Sequence, residues 1–230
     1  MTVTEILIDM NNTLRIKETE EQKVYVSTDT HLNHDRPFIW ESRGYLSSKD
    51  HTDSIITDIN SIVRPNDILI HCGDFCLNTT EKQFEELLSR ILCQNIYYIW
   101  GNHNNPLWNI YRREVAKLQN TESLEFGQRE VYPFRYRNMV FMGNYIESLI
   151  NGRCFVFAHY PIYVFNFMKD GAIHCCGHSH YNLPLSQAED KTSKIIDVGW
   201  DGFRQPYSIK EIIAIADTKG TMKVDHHKKD

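Results

Sequence analysis

The sequence has no long apolar run and no cluster of positive charge. No stretch approaches the roughly 18 to 20 uninterrupted apolar residues of a membrane-spanning helix. Residues 1–21 contain acidic side chains where a signal peptide has its apolar core. The net charge is -5 at pH 7, with an isoelectric point of about 6.1. We therefore expect a cytoplasmic protein that binds neither membranes nor long nucleic acids.

Paired cysteine motifs are also missing. The six cysteines show no Cys-x-x-Cys spacing, and most of them fall in apolar, strand-like runs. This distribution argues against a disulfide framework and against a structural zinc site. We expect buried, reduced thiols.

The chain does have the composition of an ordinary globular protein. Of its 230 residues, 41% are hydrophobic and 24% are charged. This length allows one large domain or two small ones. Because there is no internal repeat, low-complexity tract or interdomain linker, we predict that residues 1–230 form a single domain.

Hydrophobic periodicity predicts alternating strands and helices in the first half of the chain. The predicted elements are strands 24–27, 68–72 and 95–100 and helices 50–63, 80–92 and 107–118. Such alternation is typical of a parallel sheet with crossover helices. Residues 13–23 and 34–48 are predicted to be loops. Short strands after residue 132, with a hairpin at Asn151 and Gly152, predict an antiparallel stretch.

Polar side chains follow the ends of five predicted strands. They are Asp29 and His31, Asp74, Asn102 and His103, His159, and His178 and His180. Any one of them is more often a turn or capping residue than a functional one. Together they combine carboxylates with imidazoles, which are ligands of divalent transition metals, and they are too many for one ion. Two ions roughly 3.5 to 4 Å apart that share a carboxylate would use the set.

The series Asp29-x-His31, Gly73-Asp74, Gly101-Asn102-His103, His159 and Gly177-His178-x-His180 resembles the calcineurin-like metallophosphoesterases in residue identity, order and spacing. Residues 158–161, 197–201 and 206–208 are further similar to a small stand-alone branch of that family found in bacteria and their phages. The resemblance implies an α/β (α+β) fold: a four-layer sandwich of two mixed β-sheets flanked by helices.

The resemblance also implies two divalent metal ions, with manganese as the first expectation and iron, zinc, nickel, cobalt or magnesium as alternatives. One ion would be held by Asp29, His31, Asp74 and His180. The other would be held by Asp74, Asn102, His159 and His178, so that Asp74 bridges the two.

The catalytic residue implied by the resemblance is His103, whose position in the family faces the leaving-group oxygen. A hydroxide bridging the two metals would attack phosphorus directly, and His103 would protonate the leaving group. The family pattern usually continues with an acidic residue, whereas this chain has Asn104. We predict that Asn104 contacts His103 rather than a metal and leaves it a weaker acid, unless Asp35 supplies the missing carboxylate.

The predicted substrate is a small soluble phosphate ester, with a nucleotide phosphomonoester as the leading example. His34 and Arg36 follow the first motif closely and are predicted substrate contacts, with Arg36 facing a phosphate. A surface salt bridge of Arg36 is an equally weighted alternative. A phosphodiesterase or nuclease of the same fold is the alternative within enzymes. A binding module that has kept the fold and lost turnover is the alternative from another class.

Overall fold

The computed structural model describes residues 7–8, 13–103, 106–119 and 132–222. Within these ranges the strands are β1 Leu7–Ile8, β2 Leu14–Ile16, β3 Val24–Ser27, β4 Ile68–His71, β5 Asn95–Tyr98, β6 Phe134–Tyr136, β7 Met139–Phe141, β8 Tyr145–Ile150, β9 Arg153–Ala158, β10 Ile173–Cys176, β11 Ile195–Asp197 and β12 Tyr207–Ser208. The helices are α1 Pro37–Ser42, α2 Ser48–Ile62, α3 Glu81–Arg90, α4 Leu107–Leu118, α5 Trp200–Phe203 and α6 Ile209–Asp217.

The strands form two mixed sheets of six strands each, among the residues described. The first sheet has the order β12-β3-β4-β5-β7-β6, with β3, β4, β5 and β7 parallel and antiparallel strands at both edges. The second sheet has the order β1-β2-β8-β9-β10-β11, in which the β8–β9 hairpin joins a parallel β9-β10-β11 set. Parallel β3, β4 and β5 therefore direct their carboxyl ends to one edge.

The two sheets pack face to face because both present alternating apolar side chains inward. Val26 and Ile70 of the first sheet lie in one core with Phe155 and Phe157 of the second. A second core joins the outer face of the first sheet to α2, α3 and α4. Helix α6 contacts β3, β11 and β12 at the edge of the sandwich. This arrangement confirms the predicted fold of two mixed sheets flanked by helices.

Helices α2 and α3 begin at sequence signals that satisfy their first backbone N–H groups. Ser47 accepts a hydrogen bond from the backbone N–H of Asp50, and Thr80 and Gln83 form a reciprocal capping box. Most predicted elements have the expected type, and β3 and α4 have the predicted bounds. None of the helices in the described part of the chain is both long and apolar enough to cross a membrane.

Two predicted loops were wrong in part. Residues 13–23 contain β2, which pairs parallel with β8 because Leu14 and Ile16 both face the buried core. Residues 34–48 contain α1, which begins at Pro37 and buries Ile39. The predicted antiparallel stretch holds for β6–β7 and β8–β9, but β7 also pairs parallel with β5. The cysteines form no disulfide, and all except Cys154 are buried.

Candidate metal centre

Loops from both sheets meet at the edge where β3, β4 and β5 end. The backbone N–H of Asp29, beyond β3, donates to the carbonyl of Gly73, beyond β4, at 3.1 Å. Beyond β9 and β10, the backbone N–H of Gly177 donates to the carbonyl of His159 at 2.8 Å. These hydrogen bonds extend the strand pairing into the loops and fix the separation of the side chains that the loops carry.

Five of the predicted metal ligands have a left-handed backbone conformation, which non-glycine residues rarely adopt. They are Asp29 (φ 54°), His31 (φ 46°), Asp74 (φ 53°), His178 (φ 66°) and His180 (φ 48°). Each such residue costs of order 1 kcal/mol or more, and it persists only where the surrounding structure over-determines it. The loops are therefore held in the one conformation that turns these side chains toward a common point.

Glycines allow the loops to approach one another closely. Gly73 has φ +107°, and a Cβ atom there would lie 2.6 Å from His159 Nδ1. A Cβ atom at Gly101 would collide with both the backbone and the carboxylate of Asp74. Any other residue at these positions would push apart the side chains that form the centre.

Asp29, His31 and His180, together with Asp74, form what we name the first ligand group. One ligand atom of each of the first three lies within 4.8 Å of the others. His31 Nε2 is 3.7 Å from Asp29 Oδ1, and the rings of His31 and His180 stack at 5.1 Å. Asp29 Oδ1 and both ring nitrogens of His31 are buried and have no hydrogen-bond partner among the described residues. Asp29 Oδ1 and His31 Nε2 face each other, and their lone pairs are costly to bury unless a cation binds them.

Asp74, Asn102, His159 and His178 form the second ligand group. Asn102 Oδ1 lies 2.8 Å from His159 Nε2 and 2.8 Å from His178 Nδ1. Asp74 Oδ2 is 3.4 Å from His159 Nε2 and 3.8 Å from His31 Nε2, so it stands between the two groups. Asp29 also reaches this side, since Asp29, Asp74 and His159 have ligand atoms within 4.8 Å of one another.

The two carboxylates are oriented by backbone N–H groups of the neighbouring loops. Asp29 Oδ2 accepts a hydrogen bond from the N–H of His178 at 2.9 Å. Asp74 Oδ1 accepts one from the N–H of His103 at 2.8 Å. Each carboxylate thus uses one oxygen for the protein backbone and turns the other toward the imidazole nitrogens.

The imidazole orientations expose lone pairs to the centre. His159 Nδ1 lies 2.9 Å from the carbonyl of Cys72 and donates to it, so that Nε2 carries the lone pair when the ring is neutral. His180 Nδ1 lies 2.8 Å from Asp201 Oδ2 and is fixed in the same way. Nitrogen and oxygen lone pairs that face each other require a positive charge between them.

The pKa values of Asp29 and His31 also indicate that charge is unfavourable in the centre without a bound cation. Burial raises the pKa of Asp29 to about 6, and burial holds the pKa of His31 well below its ordinary value. Ligand atoms about 2.0 to 2.2 Å from an ion lie roughly 3 to 4 Å from each other, as several pairs here do. Nitrogen and carboxylate donors without thiolate suit first-row divalent ions. The residues therefore fit two such ions.

Three of the other predicted site residues, His34, Arg36 and His103, belong to the described part of the chain. The side chain of His103 is exposed, and its ring centroid is 5.7 Å from that of His31. His34 is buried, and its Nδ1 accepts a hydrogen bond from the backbone N–H of Arg36 at 3.1 Å. The exposed Arg36 forms no salt bridge with any residue in the described ranges.

Asn104 lies outside the described residues. Asp35, its predicted substitute, accepts a hydrogen bond from Asn78.

The sequence did not identify three residues that support the centre. Asp197 is buried and accepts hydrogen bonds from Ser179 Oγ (2.7 Å) and from the N–H of Tyr181 (2.9 Å), which fixes the loop that carries His178 and His180. Arg43 and Asp201 form a bidentate ion pair beside His180. Their contact joins residues far apart in the chain, and no local motif indicates it.

Comparisons with known proteins find one family and two similar proteins. A model of the calcineurin-like phosphoesterase family matches residues 22–182, more than half of the chain. The uncharacterized protein MJ1445 of Methanocaldococcus jannaschii is 29% identical over 83 residues, which are 36% of this chain. The match spans about half (47%) of that curated relative's length. A protein of unknown function from Aquifex aeolicus, AQ665, has a similar fold, with a TM-score of 0.54 and 18% identity over 84% of this chain and 99% of that one.

Proposed function

The chain belongs to the calcineurin-like phosphoesterase family, and on that premise we propose that it is a metal-dependent hydrolase of a small soluble phosphate ester. The observation that carries this proposal is the convergence of two buried ligand atoms with no hydrogen-bond partner, Asp29 Oδ1 and His31 Nε2, at the strand ends. A structural polar cluster would pair these atoms with one another. A cluster built to bind cations leaves them free.

The two ligand groups would each hold one divalent ion, with Asp74 shared between them. When bound, such a pair lowers the pKa of a water molecule toward neutrality and stabilises charge on the phosphoryl group. Manganese is the ion that we propose first, as the family resemblance implies, and a nitrogen and oxygen donor set without sulfur is compatible with it. No residue of the chain needs to act as a nucleophile, so the reaction would proceed without a covalent phosphoenzyme.

His103 is the proposed general acid. Its backbone N–H is anchored on Asp74, whereas its imidazole is exposed at the rim of the centre. That placement leaves the ring free to meet the oxygen of a leaving group and to protonate it. Arg36, exposed and without a salt bridge in the described part of the chain, would contact a phosphate oxygen next to the buried His34.

The substrate that we propose first is a nucleotide phosphomonoester. Tyr160 supports it, since its half-exposed ring lies 4.5 Å from the ring of His178 and offers a face to an organic group. Two other aromatic residues near the last strands are less available: Trp200 is fully buried, and Phe203 stacks on Tyr207 at 4.5 Å. Tyr160 is therefore better placed than Trp200 or Phe203 to contact a base.

A substrate panel tests the function. The metal-free protein would be loaded with manganese and assayed on nucleoside monophosphates, cyclic nucleotides and aryl phosphodiesters. Faster release of phosphate from the monophosphates than cleavage of the diesters is the expected result. Preference for the diesters would identify a phosphodiesterase of the same fold. Two bound ions with no turnover on any ester would contradict hydrolysis and identify a binding module.

A further inference from the structure

Arg43 is a buried arginine whose hydrogen-bonding capacity is fully used. Its side chain is 2% exposed. Nε donates to Asp201 Oδ1 at 2.9 Å, and Nη2 donates to Asp201 Oδ2 at 2.6 Å. Nη2 also donates to the carbonyl of Asp29 (2.8 Å), while Nη1 faces His51 Nε2 (3.0 Å) and the carbonyl of Thr30 (3.4 Å). All five N–H groups of the guanidinium therefore have acceptors.

The carboxylate held by Arg43 in turn holds a predicted metal ligand. Asp201 Oδ2 lies 2.8 Å from His180 Nδ1. Accepting this hydrogen bond keeps the Nδ1 proton in place, so that His180 Nε2 presents its lone pair to Asp29 and His31. A guanidinium and a carboxylate in this fork geometry also fix the plane of Asp201, and through it the plane of the His180 ring.

The same guanidinium fixes the backbone that carries the other ligands of this group. Its bonds to the carbonyls of Asp29 and Thr30 act on the segment in which Asp29 and His31 have left-handed φ angles. Arg43 thus connects the loop after β3 to the loop after β10 through Asp201. Among the described residues, neither Arg43 nor Asp201 forms a hydrogen bond or an ion pair with Asn102, His159 or His178.

From this geometry we infer that Arg43 and Asp201 are positioning residues for the first ligand group alone, and that they set the affinity of one metal ion without setting that of the other. The inference rests on the two-ion centre of the proposed function. It adds that the two ligand groups are oriented by different contacts. The first group is oriented by a buried ion pair outside the centre, whereas the second group is oriented by the Cys72 carbonyl and by Asn102.

Titration of metal-free protein with manganese tests the inference, with heat of binding and ion stoichiometry as readouts. Asp201→Asn keeps the size of the side chain but removes its charge and half of the fork to Arg43. Arg43→Lys keeps the charge but cannot make the fork. Removing such a partner of a ligating histidine typically weakens metal binding about 10- to 100-fold. We expect that loss for one ion in both variants, with the affinity of the second ion unchanged.

Asp67→Asn is the matched control. Asp67 is also a buried carboxylate paired with an arginine, at the start of β4 and so at the far end from the centre. The control is expected to lower the melting temperature while binding two ions with wild-type affinity. If Asp201→Asn binds both ions like the wild type, or weakens both equally, the inference is overturned. If the wild-type chain binds two ions without hydrolysing any ester, the proposed function is refuted. The effect of Asp201→Asn on ion binding is then still measurable, so the inference is tested separately.

Discussion

The backbone N–H of His178 donates a hydrogen bond to Asp29 Oδ2 at 2.9 Å, across 149 positions of sequence. The N–H of His103 makes the equivalent bond to Asp74 Oδ1 at 2.8 Å. Each carboxylate that faces the centre is therefore aimed by the loop that also carries another site residue. The two carboxylates are therefore oriented by motifs that are remote from them in sequence.

Asp29→Asn is expected to separate stability from metal binding. Because burial raises the pKa of Asp29 to about 6, the ionised carboxylate is unfavourable in the metal-free protein at pH 7 and above. A neutral amide of the same shape avoids that cost. We expect a higher melting temperature than the wild type without metal, and little further rise on adding manganese. A lower melting temperature without metal would contradict this account of Asp29.

Chelation is expected to destabilise the wild-type protein. An ion at about 100 times its Kd stabilises the folded state by about 2.7 kcal/mol per site, provided that it does not bind the unfolded chain. Thermal unfolding would be followed in chelator and then in excess manganese. We expect the melting temperature to fall and then recover. Identical unfolding curves in both conditions would show that the buried ligand atoms hold no ion.

His103→Ala is expected to slow hydrolysis while leaving the metal content near two ions per chain. A general acid typically contributes about 10²- to 10⁴-fold. The loss is expected to be largest for alkyl esters, whose leaving groups need a proton, and small for aryl esters with acidic leaving groups. Rates on both classes and metal analysis of the same sample provide the measurement. A full rate on an alkyl ester would remove His103 from the mechanism.

Gly73→Ala is expected to disrupt the centre, with Gly152→Ala as its control. Both glycines have positive φ angles, +107° and +79° respectively, so alanine is strained at either position by about 1 to 2 kcal/mol. Only Gly73 adds a collision, with His159 Nδ1, whereas a Cβ atom at Gly152 meets nothing within 4 Å. Gly152→Ala is expected to bind two ions, and Gly73→Ala fewer. Equal metal content in the two variants would contradict the tight approach of the loops.

His174 is expected to make the protein less stable in acid. Its Nε2 accepts a hydrogen bond from the N–H of Ile162 at 3.0 Å, which requires a neutral ring, and burial lowers its pKa to about 4 from 6.5. Since the unfolded chain binds the proton more readily, stability is present above pH 6.5 and is lost as the pH falls toward 4. Urea unfolding of metal-free protein would show this loss, at up to about 1.4 kcal/mol per pH unit. His174→Gln is expected to lessen the slope, and an unchanged slope would contradict the assignment.

The sequence revealed most of the fold because its long elements have clear periodicity. It missed β2, since three residues between polar segments are too few to show alternation, and Leu14 and Ile16 are buried only when β8 lies beside them. It also missed α1, where Pro37 and Gly44 indicate turns. These are tertiary effects on short segments.

The side chains of the centre were visible in the sequence because each follows a strand, and parallel strands end at a common edge. Arg43 and Asp201 were not, since they are 158 positions apart and their pairing depends on how two loops pack. The left-handed φ angles at Asp29 and Asp74 were equally hidden, because local preference disfavours them and only the assembled loops impose them.

An anomalous-scattering map of manganese-loaded crystals would locate the ions themselves. We expect two peaks roughly 3.5 to 4 Å apart, one among Asp29, His31 and His180 and the other among Asn102, His159 and His178, with Asp74 between them. An empty centre, or a single peak, in protein grown with excess manganese would contradict it.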